Sequence, residues 1–209
     1  MNYKVGDLVT RISHNNDILF KIMSIEDEIA YLKGVDVRLI ADSDLDDLEK
    51  ATEMKDDDTE ITSSINKEIS LDRNEYFYLP GKILHIDSDT DYLKRCMKLY
   101  KKLKIMAYGV VIDESDVSSN INEYLTEIRP NIVVITGHDA YFNRGKKAYK
   151  NSDNFIKAVL EARKYENSQE RLIIIAGACQ SNYEELIKAG ANFASSPKRI
   201  NIHALDPAI

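Results

Sequence analysis

Four short apolar runs dominate the second half of the chain, and they limit its fold more than any other feature. They are Ile83–Ile86, Ile105–Ile112, Asn131–Gly137 and Arg171–Ala176. Their apolar residues are continuous rather than alternating, so both faces of each strand must be covered, as in a parallel sheet between helices. Helix-spaced segments separate them. Asp89 or Thr90 is placed to cap a helix from Asp91 to about Leu103. A second helix spans Val117 to Ile128 and stops before Pro130. A third follows Asn151 or Ser152 and ends near Tyr165, and a fourth covers Asn182 to Ala189. Asn192–Ser195 reads as a fifth strand. Strand and helix alternate through residues 80–209, which argues for a doubly wound α/β layer. In that architecture ligands and catalytic groups collect beyond the carboxyl ends of the strands.

The first part reads differently. Residues 1–41 carry four short β-prone stretches, Tyr3–Arg11, Ile18–Ile25, Ile29–Gly34 and Val35–Ile40, with Gly34 at a corner, and suggest a small SH3-like β barrel. Residues 42–79 are polar and acidic and read as a linker. Between Asp42 and Glu60 stand ten acids against Lys50 and Lys55, and this run accounts for the net charge of −7. A solvated linker is the plain reading of the run, and a docking strip for a basic partner is the sharper one. No basic stripe marks a nucleic-acid binder. No apolar run approaches the roughly 18 residues that span a bilayer, and the start has no secretory signal pattern. Cys96 and Cys179 are too few for a disulfide framework, which points to a reducing cytosol. The ending His203–Ile209 is apolar and abrupt and reads as a truncated or processed terminus.

Two strand ends carry chemistry. The third delivers Thr136-Gly137-His138-Asp139 and the fourth Ala176-Gly177-Ala178-Cys179-Gln180-Ser181. Neighbouring parallel strands would set His138 and Cys179 on one rim. A thiol becomes a good nucleophile beside a base and before a helix, where free N–H groups favour the thiolate. His138 would take the thiol proton and return it to the leaving amine. The backbone N–H groups of Cys179 and of Asp139, beside His138, would form an oxyanion hole. The small residues Gly137, Gly177 and Ala178 admit a peptide backbone. The bland alternative is a packed thiol and a satisfied histidine. Cys96 and His85 read as structural, His14 as a turn residue, and His203 has no assigned role. No zinc spacing, phosphate loop or serine elbow is present, and no metal or organic cofactor is expected.

The block Gly177-Ala178-Cys179-Gln180, about 40 positions after His138, resembles the caspase, legumain and clostripain group, where the histidine precedes an Ala-Cys by about 50. The sequence departs from that group in having His138-Asp139 where His-Gly is expected. Longer blocks are similar to the sporulation-specific YabG protease family. They are Gly34–Asp44, Pro80–Asp87, Val134–Tyr141, Ala176–Ser181, Ala189–Pro197 and Asn201–Pro207. The resemblance spans the chain apart from about 45–75. It implies a caspase-like parallel sheet flanked by helices. It implies a cysteine endopeptidase of the mother cell of spore-forming bacteria. Such an enzyme trims spore coat and cortex-related proteins, including germination factors, commonly after arginine, and processes itself. His138 and Cys179 match the expected dyad. Arginine preference asks for a carboxylate pocket. Asp87 and Asp89 after the first strand, and Asp113 after the second, are the candidates, with Asp87 preferred; Asp139 follows the third strand and Asp206 lies near the end of the chain. Two non-protease readings stand beside this one: a non-catalytic docking module for coat assembly, and a flavodoxin-like ligand binder.

Overall fold

The computed structural model describes residues 3–52, 81–142, 148–195 and 201–209, together with residues 58, 61, 63, 64 and 197. An antiparallel sheet comes first. It comprises β1 (Leu8–Arg11), β2 (Phe20–Glu26), β3 (Ile29–Gly34), β4 (Ile40–Asp44) and β5 (Leu48–Lys50), in the order β4-β3-β2-β1-β5. Ala30 and Leu32 point inward from β3 while Ile29 and Tyr31 stay exposed, the period-two pattern of a half-buried strand. Val9, Phe20 and Ile22 complete this apolar layer.

Two expectations for this region need correction. The stretch Val35–Leu39 is a tight turn, not a strand: the Gly34 N–H bonds the Leu39 carbonyl at 2.8 Å. A Cβ on Gly34 would lie 2.3 Å from the Val37 carbonyl oxygen, so only glycine fits. The sheet also runs past residue 41, to Lys50. Asp42, Asp44 and Glu49 occupy exposed strand positions, whereas Ser43 and Leu48 between them are buried. The acids thus hide a strand pattern inside what reads as linker. The remainder of that stretch lies outside the described residues, apart from isolated positions.

The second sheet is wholly parallel and has the order β12-β11-β8-β6-β7. Its strands are β6 (Ile83–Asp87), β7 (Ala107–Val111), β8 (Ile132–Thr136), β11 (Ile173–Ala176) and β12 (Phe193–Ala194). The helices are α1 (Thr90–Lys102), α2 (Val117–Ile128), α3 (Ser152–Tyr165) and α4 (Tyr183–Lys188). A short hairpin of β9 (Tyr141–Phe142) and β10 (Ala148–Tyr149) precedes α3. Leu84, Ile86, Val133, Ile135 and Ile174 pack against α2 and α3, while Ile83 and Val134 pack with Cys96, Leu99 and Tyr100 of α1. The inner strands β6, β8 and β11 have continuous apolar runs because each feeds two cores. α2 ends where Arg129 turns left-handed, just before Pro130. The chain goes from β6 out to the edge strand β7 and returns on the other side as β8, so the strand order reverses between β6 and β8.

A buried ion pair joins the two sheets. Arg38 Nη1 lies 2.7 Å from Asp87 Oδ2, and both side chains are wholly out of water. Arg38 also donates to the Ala204 carbonyl through Nη2 at 2.8 Å and Nε at 3.2 Å, and its guanidinium lies 5.0 Å from the centre of the Tyr92 ring. The Tyr92 hydroxyl bonds the carbonyls of Gly34 and Val37, and Arg95 donates to the Val35 carbonyl. Residues 202–204 run beside 36–38: the Arg38 N–H bonds the Ile202 carbonyl and the Ala204 N–H bonds the Asp36 carbonyl. Asp87→Ala leaves the Arg38 charge buried and unpaired. Urea unfolding is predicted to show a loss of about 3–5 kcal/mol, much of it recovered when Arg38→Met is combined with Asp87→Leu.

Candidate active site

The order reversal between β6 and β8 creates a crevice beyond their carboxyl ends, the general ligand position of open α/β sheets. A cleft of about 710 Å³ opens there. The antiparallel sheet supplies one wall, including Tyr31 and Lys33. The rim of the parallel sheet supplies the other, including Asp89, Asp113, Glu114 and His138.

His138 is held from several sides. Its Nε2 lies 2.9 Å from Asp89 Oδ2. Its backbone N–H donates to Glu114 Oε1 at 2.9 Å, and its carbonyl accepts from Asn151 Nδ2 at 2.7 Å. Its ring stands 5.2 Å from that of Tyr92. With a carboxylate on Nε2, the proton sits there and Nδ1 is left as an acceptor. That Nδ1 is buried and has no hydrogen-bond partner among the described residues. Gly137 is part of the arrangement. A Cβ there would come within 2.6 Å of both Glu114 Oε1 and Ser88 Oγ, which bond each other at 2.6 Å.

Asp89 divides its two oxygens. Oδ1 caps α1 by accepting from the N–H groups of Asp91 and Tyr92 at 2.9 and 3.2 Å. Oδ2 takes His138 and the Lys33 ammonium from β3. Burial opposes its charge, but these two partners outweigh burial and hold the carboxyl well below the usual range.

The other predicted site residues have different places. Asp87 is not open to a substrate guanidinium, because Arg38 of the chain itself occupies it. Burial pushes its carboxyl upward and Arg38 pulls it back. Its Oδ1 accepts the Asp89 N–H at 2.9 Å. Asp113 is exposed on the cleft wall. Asp139 is fully buried, accepting from Ser152 Oγ at 2.5 Å, Ser181 Oγ at 2.9 Å, and the N–H groups of Ala140 and Asn151 at 2.8 Å. It ties the end of β8 to the start of α3 and to the loop after β11. Its backbone pairs with Leu39 in a parallel bridge and is not among the cleft lining. Asp206 accepts from the His203 N–H at 2.7 Å.

Cys179 lies outside the cleft lining, in the apolar layer with Val9, Phe20, Ile22 and Ile202. Its Sγ accepts the Ile202 N–H at 3.1 Å, and no hydrogen bond joins it to His138. It is also not at a helix N-terminus. α4 begins at Tyr183, capped by Asn182, while the Ala178 N–H is taken by Ser181 Oγ at 2.9 Å. Burial pushes the thiol up to about 11, against the thiolate expected from sequence. His85 is buried against the Tyr100 hydroxyl at 3.0 Å and held neutral by burial. Cys96 is buried near Arg38 and Ala204, as a core residue. Sequence reasoning missed Lys33, Arg38, Tyr92 and Glu114. An arginine between the apolar residues Val37 and Leu39 was the readable signal for Arg38, and adjacency to Asp113 the one for Glu114.

A parallel sheet that opens at its switch point onto a carboxylate-held histidine has the layout of an enzyme, and comparison with known proteins makes that enzyme a protease. The YabG peptidase U57 family model matches residues 4–71 and 54–209. The sporulation-specific protease YabG of Bacillus subtilis (strain 168) is 42% identical over 240 residues, which cover 99% of this chain and 83% of that protein. The chain belongs to the YabG peptidase family. Among the described residues no helix is long and apolar enough to cross a membrane.

Iodoacetamide labelling of Cys179 in the native protein is predicted to keep rising beyond pH 9, since burial holds its thiol near 11. In urea the midpoint should fall to about 8.5. Mass mapping of the labelled peptides at each pH reads both.

Proposed function

We propose that this protein is a cysteine endopeptidase in which Cys179 is the nucleophile and His138 the base and acid. Strand register is the observation that carries the reading. β11 pairs with β8 so that Ala176 stands opposite Ile135. Cys179 and His138 each lie three positions beyond this pair, at the ends of neighbouring strands. The unpartnered acceptor at His138 Nδ1 is the group such a base needs.

In this mechanism Nδ1 takes the thiol proton as Sγ bonds to the scissile carbonyl carbon. The C–N bond then breaks, and His138 returns the proton to the leaving amine. Water, deprotonated by His138, releases the acid from the thioester and regenerates the thiol. The arrangement described above is the resting form on this reading, with the Ile202 main chain on the thiol. Attack requires that contact to open.

The substrates proposed are spore coat and cortex-related proteins, cut after arginine, with self-processing as a further reaction, in the mother cell. The cleft supports a cationic substrate. Glu26, Asp91, Asp113 and Glu114 face it against Lys33 and Lys150. Asp113, exposed there, is the carboxylate proposed to receive the arginine. Residues 3–50 and the parallel α/β layer act as one catalytic body, because the cleft has a wall from each.

Fluorogenic peptides varied at the residue before the scissile bond test the reading. Wild type should turn over arginine peptides selectively, and Cys179→Ala and His138→Ala should abolish turnover. Asp113→Asn should lower kcat/KM for arginine peptides about tenfold, the loss of one exposed ion pair in a substrate complex. Full activity in Cys179→Ala would overturn the mechanism.

A further inference from the structure

The contacts of Asp89 form a linked set, and neither its carboxylate nor the Lys33 ammonium in that set has a role in the Cys179–His138 hydrolysis above. Asp89 lies just beyond β6, its N–H fixed by Asp87 Oδ1 at 2.9 Å. Its Oδ1 is committed to the first turn of α1. A carboxylate pinned through one oxygen cannot swing, so the direction of the other is set. That other oxygen meets His138 Nε2 at 2.9 Å and also the ammonium of Lys33. The side chain is nearly buried, so the contacts are only weakly screened. Lys33 comes from β3 of the antiparallel sheet, and its Nζ also lies 5.3 Å from the centre of the Tyr92 ring.

We infer that Asp89 is the positioning residue that aims His138, and that Lys33, supplied by the N-terminal sheet, shares its carboxylate and tempers its hold on the imidazole. The inference rests on the Cys179–His138 reading above. Asp89 fixes the tautomer: with Nε2–H donated to the carboxylate, Nδ1 must be the acceptor. It also favours the imidazolium formed when the thiol proton arrives. Lys33 works in the opposite sense, since a cation on the same oxygen weakens that support. The other charged and titratable groups near His138 are accounted for. Asp87 is neutralised by Arg38. Glu114 accepts the His138 backbone N–H. Asp139 is held by Ser152 and Ser181. The Tyr92 phenol is kept neutral by burial. Lys150 lines the same cleft. The antiparallel sheet therefore contributes a group to the catalytic machinery as well as a wall to the cleft.

Asp89→Asn isolates the charge, because asparagine caps a helix as well as aspartate does. Full-length wild type, Asp89→Asn, Lys33→Met and Cys179→Ala are compared on an arginine fluorogenic peptide across pH, with thermal melts as a check on folding. Asp89→Asn should lower kcat by about 100-fold or more while KM changes little. The acid limb of its kcat/KM profile should move about one pH unit lower, and that of Lys33→Met should move higher. A merely structural role would lower activity without opposite movements of the limb. If Asp89→Asn does not fold, the upward movement in Lys33→Met carries the test. Limbs unmoved in both variants, with Cys179→Ala inactive, would overturn this inference alone. An active Cys179→Ala would overturn the parent reading instead.

Discussion

The fully buried pair of Arg38 and Asp87 is the contact on which the arrangement of the two sheets depends. Removing two charges from water is costly, and their mutual attraction offsets that cost only where geometry is good and remaining hydrogen-bond capacity is used. Both conditions are met. Arg38 divides its donors between Asp87 and the Ala204 carbonyl, over the face of Tyr92. Asp87 gives one oxygen to Arg38 and the other to the Asp89 N–H. Asp89 in turn holds His138 and Lys33. The pair that joins the sheets is thus only two residues removed from the histidine of the cleft. The N-terminal sheet enters the same network twice, through Arg38 and through Lys33.

The site is unevenly prepared. His138 has the Asp89 carboxylate on Nε2, its backbone is fixed on both sides, and its buried Nδ1 has no partner among the described residues. Cys179 sits in an apolar layer under the Ile202 main chain, and its burial disfavours the thiolate. On the proposed cysteine-endopeptidase reading, this asymmetry separates a base that is assembled from a nucleophile that is covered. The segment 202–204, paired with residues 36–38, is held by the same turn that places Arg38. Whatever loosens that pairing acts on the thiol and on the buried ion pair together.

Much of the parallel sheet was legible in the sequence, because each inner strand feeds two cores and therefore carries a largely apolar run. The helix Val117–Ile128 was readable to its ends for local reasons, an apolar period and a stop before Pro130. The region 35–50 was not. Its turn depends on a close approach at Gly34 and its last strands place acids on their outward face, so composition resembled a linker. Asp87 read as the preferred acid of an arginine pocket, because nothing local to it shows that an arginine distant in the chain reaches in to meet it. The rim placement of His138 was visible in the sequence. The cover over Cys179 was not, since it comes from residues distant in sequence, and the helix expected from Asn182 begins at Tyr183, too far along to offer its first N–H groups to the thiol.

The most direct measurement is covalent trapping with a peptidyl-arginine chloromethyl ketone, followed by mass mapping of the adduct on the inactivated protein. One adduct per chain is expected, carried by Cys179 and forming in step with loss of activity. Complete inactivation with Cys179 unmodified would contradict it and move the nucleophile elsewhere.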